Sequence, residues 1–302
     1  GICSAAKIPA SRQLMPLAFA CGLGGIITMV GTPPNIIANG ALQAAGMKEQ
    51  FGFFEYAWIG IPVTLAGMLY MMFLGKYLLP NKQIDADQEI EQEVEANETS
   101  ASKQIVSAVI LLCVVLTMAI GIPGVSLEMA AIIGAIVAVL TGCLTEKQAY
   151  ASIDWVTIFL FAGMMPVSAA MDKTGAGKLI AEWAVSLMGG SPTPIIMTSV
   201  LFIISCTLTQ FMSNTAAAAL LAPVGVAISQ QLGASPKAVL MAIGVAASCA
   251  FATPVGTPPC TLVLGPGGYK FMDYVKVGVP LVILCFIVSI IVIPMVWPFF
   301  PG

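Results

Sequence analysis

Apolar residues come in long, nearly unbroken stretches along this chain, separated by short polar or Gly- and Pro-rich interruptions. Crossing ~30 Å of hydrocarbon takes about 20 helical residues, so these stretches predict membrane helices. They fall at Leu14–Val30, running into a break at Gly31–Pro34, then at Tyr56–Leu79, Ile105–Ile122, Leu127–Cys143 and Trp155–Met171. Beyond them lie Ile195–Met212, running into Ser213–Thr215, then Ala216–Gln230, Val239–Val255 running into Gly256–Pro259, and Tyr274–Trp297. A weaker helical pattern over Lys173–Gly190 carries Lys178 and Glu182 on its polar side and reads as an interfacial helix. The one long hydrophilic stretch, Asn81–Gln104, is a linker too short to hold a folded domain.

Composition turns this pattern into a class. Of 302 residues, 58% are hydrophobic and 9% charged, against about 25% charged in a typical soluble domain. A water-soluble fold of this length cannot cover so much apolar surface, so the expected solvent is lipid. The fold class is therefore an all-α polytopic membrane protein. Seven of the 15 acidic residues lie between Asp85 and Glu98, leaving the apolar stretches sparsely charged. There is no histidine, which argues against zinc sites, His-based acid–base chemistry and haem ligation. The eight cysteines (Cys3, Cys21, Cys113, Cys143, Cys206, Cys249, Cys260 and Cys285) lack CxxC spacing and read as small core residues. No basic patch points to nucleic acid, and the lack of paired carboxylates at helical spacing disfavours a membrane-embedded enzyme.

An internal repeat adds the next constraint. Gly31-Thr32-Pro33-Pro34 recurs 225 residues later as Gly256-Thr257-Pro258-Pro259, with Thr28, Val30 and Gly40 matching Thr253, Val255 and Gly265. Glu55-Tyr56 with Gly60 and Pro62 matches Asp273-Tyr274 with Gly278 and Pro280 at an offset of 218, as a shortened loop requires. Duplication is the better reading. Lys76 and Lys82 follow the apolar run after the first copy, whereas Lys270 and Lys276 open the corresponding run after the second. By the positive-inside tendency the copies are inverted, with the linker in the cytoplasm and the C-terminus outside, where Trp297, Phe299 and Phe300 suit an interfacial belt. Inverted repeats with broken helices are a secondary-transporter architecture, although broken helices also line channels.

Within a membrane segment, Gly-Thr-Pro-Pro stops a helix, frees backbone carbonyls and exposes a new helix N-terminus. A single copy reads as a kink; two in equivalent places read as a site. Ser213-Asn214-Thr215 joins two apolar halves without a hydrophilic loop, which predicts a re-entrant hairpin with its tip inside the membrane. Its oxygens can coordinate a hard cation or meet an anion, or merely bond back to helix carbonyls.

These motifs together resemble the divalent anion–sodium symporter family of the ion transporter superfamily. The resemblance implies two inverted repeats, each with a Ser-Asn-Thr hairpin and a broken helix, in a homodimer that works by an elevator-like displacement. It implies transport of dicarboxylates, citrate or sulfate, usually with sodium, although some relatives exchange anions without it. Sodium-coupled di- or tricarboxylate symport at a plasma (inner) membrane leads; a sulfate or other oxyanion carrier, a sodium-independent exchanger and a channel are the alternatives. Residues 1–80 then belong to the first repeat, 81–104 to the acidic linker and 105–302 to the second repeat. The second repeat would hold a hairpin over 192–232, a broken helix over 236–268 and a last helix over 273–300.

Carried over by motif, one sodium site takes Thr209 and Asn214 with carbonyls near Met212 and Gly256, and the other keeps Gly31 from this chain. The anion meets Ser213, Asn214, Thr215, Thr257 and Pro258, with Thr32 from the first repeat. Shifted back by 225, the partner of Ser213 falls before Gly1, so the chain is expected to be a piece of a longer protein. Of the remaining acids, Glu128 reads as a helix-dipole partner with proton coupling as the rival. Asp154 and Asp273 read as interfacial, and Glu55 as a structural counterpart of Asp273.

Overall fold

The computed structural model describes residues 9–47, 49–80, 101–120, 125–153 and 193–300, with scattered positions between 155 and 189. Most of the Asn81–Gln104 linker, most of the runs read at Trp155–Met171 and Lys173–Gly190, Asp154, and the Glu128 side chain lie outside the described residues. Among the described residues the chain is all-α, with no strand. Lipid imposes this, because a backbone without water must satisfy its own N–H and C=O groups.

The first break separates α1 (Leu14–Gly25) from α2 (Pro33–Ala44). α3 covers Ala57–Tyr70, passes through a π turn at Met71–Gly75 and ends as Lys76–Leu78. Then come α4 (Ala101–Ile120), α5 (Leu127–Leu140) and the short α6 (Glu146–Ala151). α7 (Pro194–Thr209) and α8 (Asn214–Leu232) flank the Ser213 turn, and α9 (Pro236–Ser248) and α10 (Pro258–Leu264) flank the second break. α11 spans Phe271–Val296. Among the described residues, Ala57–Leu78, Lys103–Ile120, Asn214–Leu232 and Phe271–Val296 are long and apolar enough to cross a bilayer. This is an integral, multi-pass membrane protein.

Helix ends are set by local chemistry. Thr193 and Ser213 cap α7 and α8, accepting from the N–H groups of Ile196 (3.3 Å) and Ala216 (3.2 Å). Gly233, at φ 61°, ends α8 in the left-handed region, and Pro236 opens α9. Both breaks are wider than the apolar runs predict, because α1 stops at Gly25 and α9 at Ser248. Each break closes on itself: a Cβ on Gly25 would stand 2.8 Å from Gly31 O, and one on Gly256 would stand 2.6 Å from the Ala250 Cβ. Apolar side chains fill a core equally well from irregular backbone, so hydropathy does not register where the helix ends.

The chain divides into two compact units, Gly1–Ile84 with Phe159–Gly302, and Asp85–Ile158. In the second, α4 packs on α5 where Gly134 admits the side chain of Val114. Leu111, Leu112, Ile132, Ile133 and Leu140 face outward there, as a lipid solvent permits. The first unit is built around α9, which is buried at every position from Ala238 to Ser248 and touches α2, α7, α8 and α11. Small residues bring these helices close together. Gly244 lies against Ala38 and Pro34 of α2, and Gly225 of α8 receives Ile243 and Val239.

Residues that match in sequence play matching parts in this unit. α10 packs on α1 and α2 on α9, so each downstream half of a broken helix meets the upstream half of the other. The Tyr56 hydroxyl donates to Asn35 O (3.3 Å) and the Tyr274 hydroxyl to Cys260 O (2.7 Å), each carbonyl four residues after its break glycine. Gly60 lets α3 approach the first break, where a Cβ would stand 2.6 Å from Ile27 Cα, and Gly278 lets α11 approach Phe251 O at the second. Glu55 and Asp273 each accept from the backbone N–H three residues earlier, at 2.9 and 2.8 Å.

Candidate functional site

The second break and the turn between α7 and α8 meet in one cluster of polar atoms. Thr209, the buried last residue of α7, places Oγ1 2.8 Å from Ala247 O near the end of α9 and 2.8 Å from the Asn214 amide. A threonine hydroxyl has one proton, and Ala247 O takes it. The network therefore closes with the Asn214 amide nitrogen inward, its two N–H groups shared among Thr209 Oγ1 (2.8 Å), Gly256 O (2.9 Å) and Ala247 O (3.2 Å). Turned the other way, the same amide would present Oδ1 to these three oxygens and complete a set of neutral oxygen ligands fit for a hard cation.

The sequence dictates this convergence locally. Ala247 lies in the last turn of α9, so its carbonyl is one that the helix leaves without an internal partner. At Gly256 a Cβ would stand 2.8 Å from Thr209 O, so only glycine lets the break come this near to α7. Ser213, exposed at the N-cap of α8, delivers Asn214 to the first turn of that helix.

Thr32 reaches the edge of the same cluster. Its Oγ1 lies 2.8 Å from Ser248 Oγ, and Ser248 donates to Gly244 O at 3.1 Å, so Thr32 is the donor of the pair. Ser248 follows Ala247 directly, which links the first Gly-Thr-Pro-Pro segment to the end of α9. Thr32, Ser213 and Thr257 all occupy N-cap positions with extended backbone, ahead of α2, α8 and α10. Thr215 and Thr257 are buried, and Pro258 is exposed at the first position of α10. Met212 stands in the connecting turn with its N–H on Leu208 O at 3.1 Å. Gly31 belongs to the other break, exposed and packed beside Gly25 O and Thr28 Oγ1. Thr209, Asn214 and Gly256 are thus brought together and Thr32 adjoins them, while Gly31 belongs to the first break. Sequence reasoning missed Ala247, whose contribution is a backbone carbonyl with no side-chain signature, and Ser248, visible only as a hydroxyl ending an Ala-rich run.

Away from this cluster, Glu55 accepts from Lys237 Nζ and Trp297 Nε1, both at 2.8 Å, and from Gly52 N–H at 2.9 Å. Partial burial pushes its carboxyl upward, but these donors and the Lys237 charge prevail and hold it below the ordinary carboxylate value. The loop before α3, the start of α9 and the end of α11 are joined there.

Two broken helices packed among helices long and apolar enough to span a bilayer define the class as an all-α polytopic membrane protein. The chain belongs to the citrate transporter family, matching it over residues 1–233 and 118–300. It is 45% identical over 157 residues to the uncharacterised transporter YfbS of Escherichia coli K12, covering 52% of this chain and 26% of that one. An uncharacterised transporter of Haemophilus influenzae is 33% identical over 293 residues, or 91% of this chain and 60% of its own. The sodium-dependent dicarboxylate transporter SdcS of Staphylococcus aureus is 26% identical over 321 residues, with 96% and 59% covered. The chain spans less than two thirds of each of these relatives.

Proposed function

We propose that this protein is a secondary active transporter that couples sodium to the movement of small di- or tricarboxylates. The observation that carries the reading is the convergence of Thr209 Oγ1, the Asn214 amide, Ala247 O and Gly256 O. Uncharged oxygens of this kind bind a hard monovalent cation without the full carboxylate charge that divalent ions favour. Thr209, Asn214 and Gly256, with the carbonyl region of Met212, would hold one sodium ion, and Gly31 would serve a second at the other break.

The anion would lie against Ser213, Asn214, Thr215, Thr257 and Pro258, with Thr32 beside them. No Lys or Arg is in this set. Hydroxyl and amide donors, the N-terminus of α8 and the neighbouring sodium charge would offset the dianion instead. Anion binding then depends on prior cation binding, which is the physical basis of symport. Each net charge crossing 100 mV changes the free energy by about 2.3 kcal/mol, so sodium in excess of substrate charge drives accumulation.

The reciprocal packing of α1 on α10 and α2 on α9 supports reading the two Gly-Thr-Pro-Pro segments as inverted repeats that move together in an elevator-like displacement. A homodimer would supply the fixed frame. Uptake of labelled succinate and citrate into vesicles under an inward sodium gradient tests the reading. Saturable uptake that collapses when choline replaces sodium is expected. Equal uptake in both media would leave a sodium-independent exchanger, and transport of sulfate alone would move the substrate class to inorganic oxyanions.

A further inference from the structure

Gln210 stands outside every residue set considered so far, yet it makes the densest set of contacts at the second break. It follows Thr209 at the end of α7 and is half-buried. Its Nε2 donates to Cys206 O (2.9 Å) in its own helix and to Cys249 O (3.1 Å) across the gap. Its Oε1 accepts from Ala252 N–H at 3.0 Å, and its backbone carbonyl accepts from the Thr253 hydroxyl at 2.8 Å. Both amide protons and the amide oxygen are therefore engaged.

The groups it meets are those the broken helix abandons. α9 ends at Ser248, so Cys249 O and Ala252 N–H have no place in a helical ladder. In hydrocarbon such groups are costly unless protein satisfies them. Gln210 supplies partners from the neighbouring helix, joined at Cys249 O by the Cys206 thiol (3.5 Å), and replaces an internal ladder with a link between two elements. Ala247 O lies just before the linked stretch and Gly256 O just after it, and both carbonyls belong to the Thr209–Asn214 cluster. Adjacent residues thus divide two tasks: Thr209 presents an oxygen to the cluster, and Gln210 fixes the backbone that presents the others.

We infer that Gln210 is a positioning residue for the cation site, clamping residues 249–253 to the end of α7 so that the Ala247 and Gly256 carbonyls converge on Thr209 and Asn214. The inference rests on the proposed sodium reading. Gln210→Leu keeps the bulk and removes the amide; Thr253→Val keeps the shape and removes the hydroxyl that holds the Gln210 carbonyl. Both variants are made in the protein expressed from its complete reading frame. Two quantities are read: the sodium half-saturation of succinate uptake, and sodium-induced thermal stabilisation of the purified protein. Gln210→Leu is expected to raise the sodium half-saturation at least tenfold and Thr253→Val about threefold, with the succinate half-saturation at saturating sodium kept within twofold. A purely structural role would lower protein yield and maximal rate and leave the sodium constants unmoved. If Gln210→Leu does not fold, Thr253→Val decides alone. Wild-type sodium constants in every variant that folds would overturn the inference while the sodium reading stands. A wild-type protein that shows neither sodium-dependent uptake nor sodium-induced stabilisation would bring down the reading beneath it.

Discussion

The two Gly-Thr-Pro-Pro breaks share a plan and differ in what satisfies them. In each, equivalent residues touch to close the loop, Gly25 with Gly31 and Ala250 with Gly256, and a tyrosine hydroxyl fixes the helix beyond. At the first break Asn35, in the downstream helix itself, donates from Nδ2 to Thr28 O at 2.9 Å. At the second, Cys260 occupies the Asn35 position, and the partners come from α7 and α8 through Gln210, Thr209 and Asn214. Each break has a staple from its own downstream helix, since at the second the Thr261 hydroxyl donates to Pro254 O at 2.7 Å. Each also leans on neighbours, and these differ: the first meets Phe53 O through Met29 N–H (3.0 Å) and Ser248 through Thr32, whereas the second meets α7 and α8. The same peptide motif can therefore be held by different neighbours, the loop before α3 and α9 in one copy and the α7–α8 pair in the other.

The largest expected effect lies at Gly256. A methyl group there meets Ala250 Cβ at 2.6 Å and Thr209 O at 2.8 Å, so Gly256→Ala should abolish sodium-driven uptake while the protein still reaches the membrane. Retained uptake would mean that the break and α7 need not approach each other. Next comes Asn214→Ala, which removes the amide shared by Thr209, Gly256 and Ala247. Losing such a bond to a charged ligand costs ~1.5–3 kcal/mol, so sodium and anion half-saturation should rise together by about tenfold or more. Thr257→Ala should weaken the anion more than sodium. Unchanged constants in Asn214→Ala would make Ser213-Asn214-Thr215 a packing tripeptide.

The first break should answer differently. Asn35→Ala deprives Thr28 O of its donor but also removes Oδ1, a buried acceptor that has no partner among the described residues. The net loss is about 1 kcal/mol, read as a lower unfolding midpoint, with a smaller change in sodium half-saturation than Gln210→Leu causes. A larger change would show that the first break bears on sodium binding as strongly as the second.

The smallest effect belongs to Glu55. Its folded pKa lies below the unfolded value, so its contribution is present at neutral pH and is lost as pH falls through the folded value. That loss is confined to pH below the ordinary carboxylate value of about 4.3. Lys237 and Glu55 are about one-fifth exposed, at 20% and 22%, so the pair contributes less than about 1 kcal/mol after solvent screening. The gap in unfolding midpoint between wild type and Glu55→Gln should close as pH drops toward 3. A gap that persists would assign the stabilisation to packing around Trp297.

Much of this arrangement was legible beforehand, for identifiable reasons. Tyr274–Trp297 reads as one long apolar run, and the helix spans Phe271–Val296, because length and hydropathy leave little else. The breaks are legible because Pro33-Pro34 and Pro258-Pro259 fit best in the first turn of a helix and so open α2 and α10, although their upstream edges lie earlier than hydropathy suggests. α6 is absent from the apolar pattern because it is short and polar, and its one signal in the sequence is the Thr145-x-x-Gln148 capping box that opens it. The motif resemblance groups Thr209, Asn214 and Gly256, and these three meet in space. Ala247 could not be found that way, since an acceptor on the main chain leaves no mark in the sequence. Gln210 does carry a mark, but one polar residue near the end of an apolar run looks no different from the edge of a membrane segment.

The burial of α9 from Ala238 to Ser248 bears on how the protein is made. Thirteen residues of α-helix span about 20 Å, short of the ~30 Å hydrocarbon core, and small side chains give α9 little apolar area of its own. A translocating channel that sorts segments by hydrophobicity one at a time would find little in α9 to retain. Its place in the bilayer therefore depends on its helical neighbours, and α11, with 26 residues, is synthesised after it. A topology reporter fused just after Ser248 should show incomplete insertion, and one fused after α11 should show the finished arrangement. The helix at the centre of the folded unit is then among the last to become secure during biosynthesis.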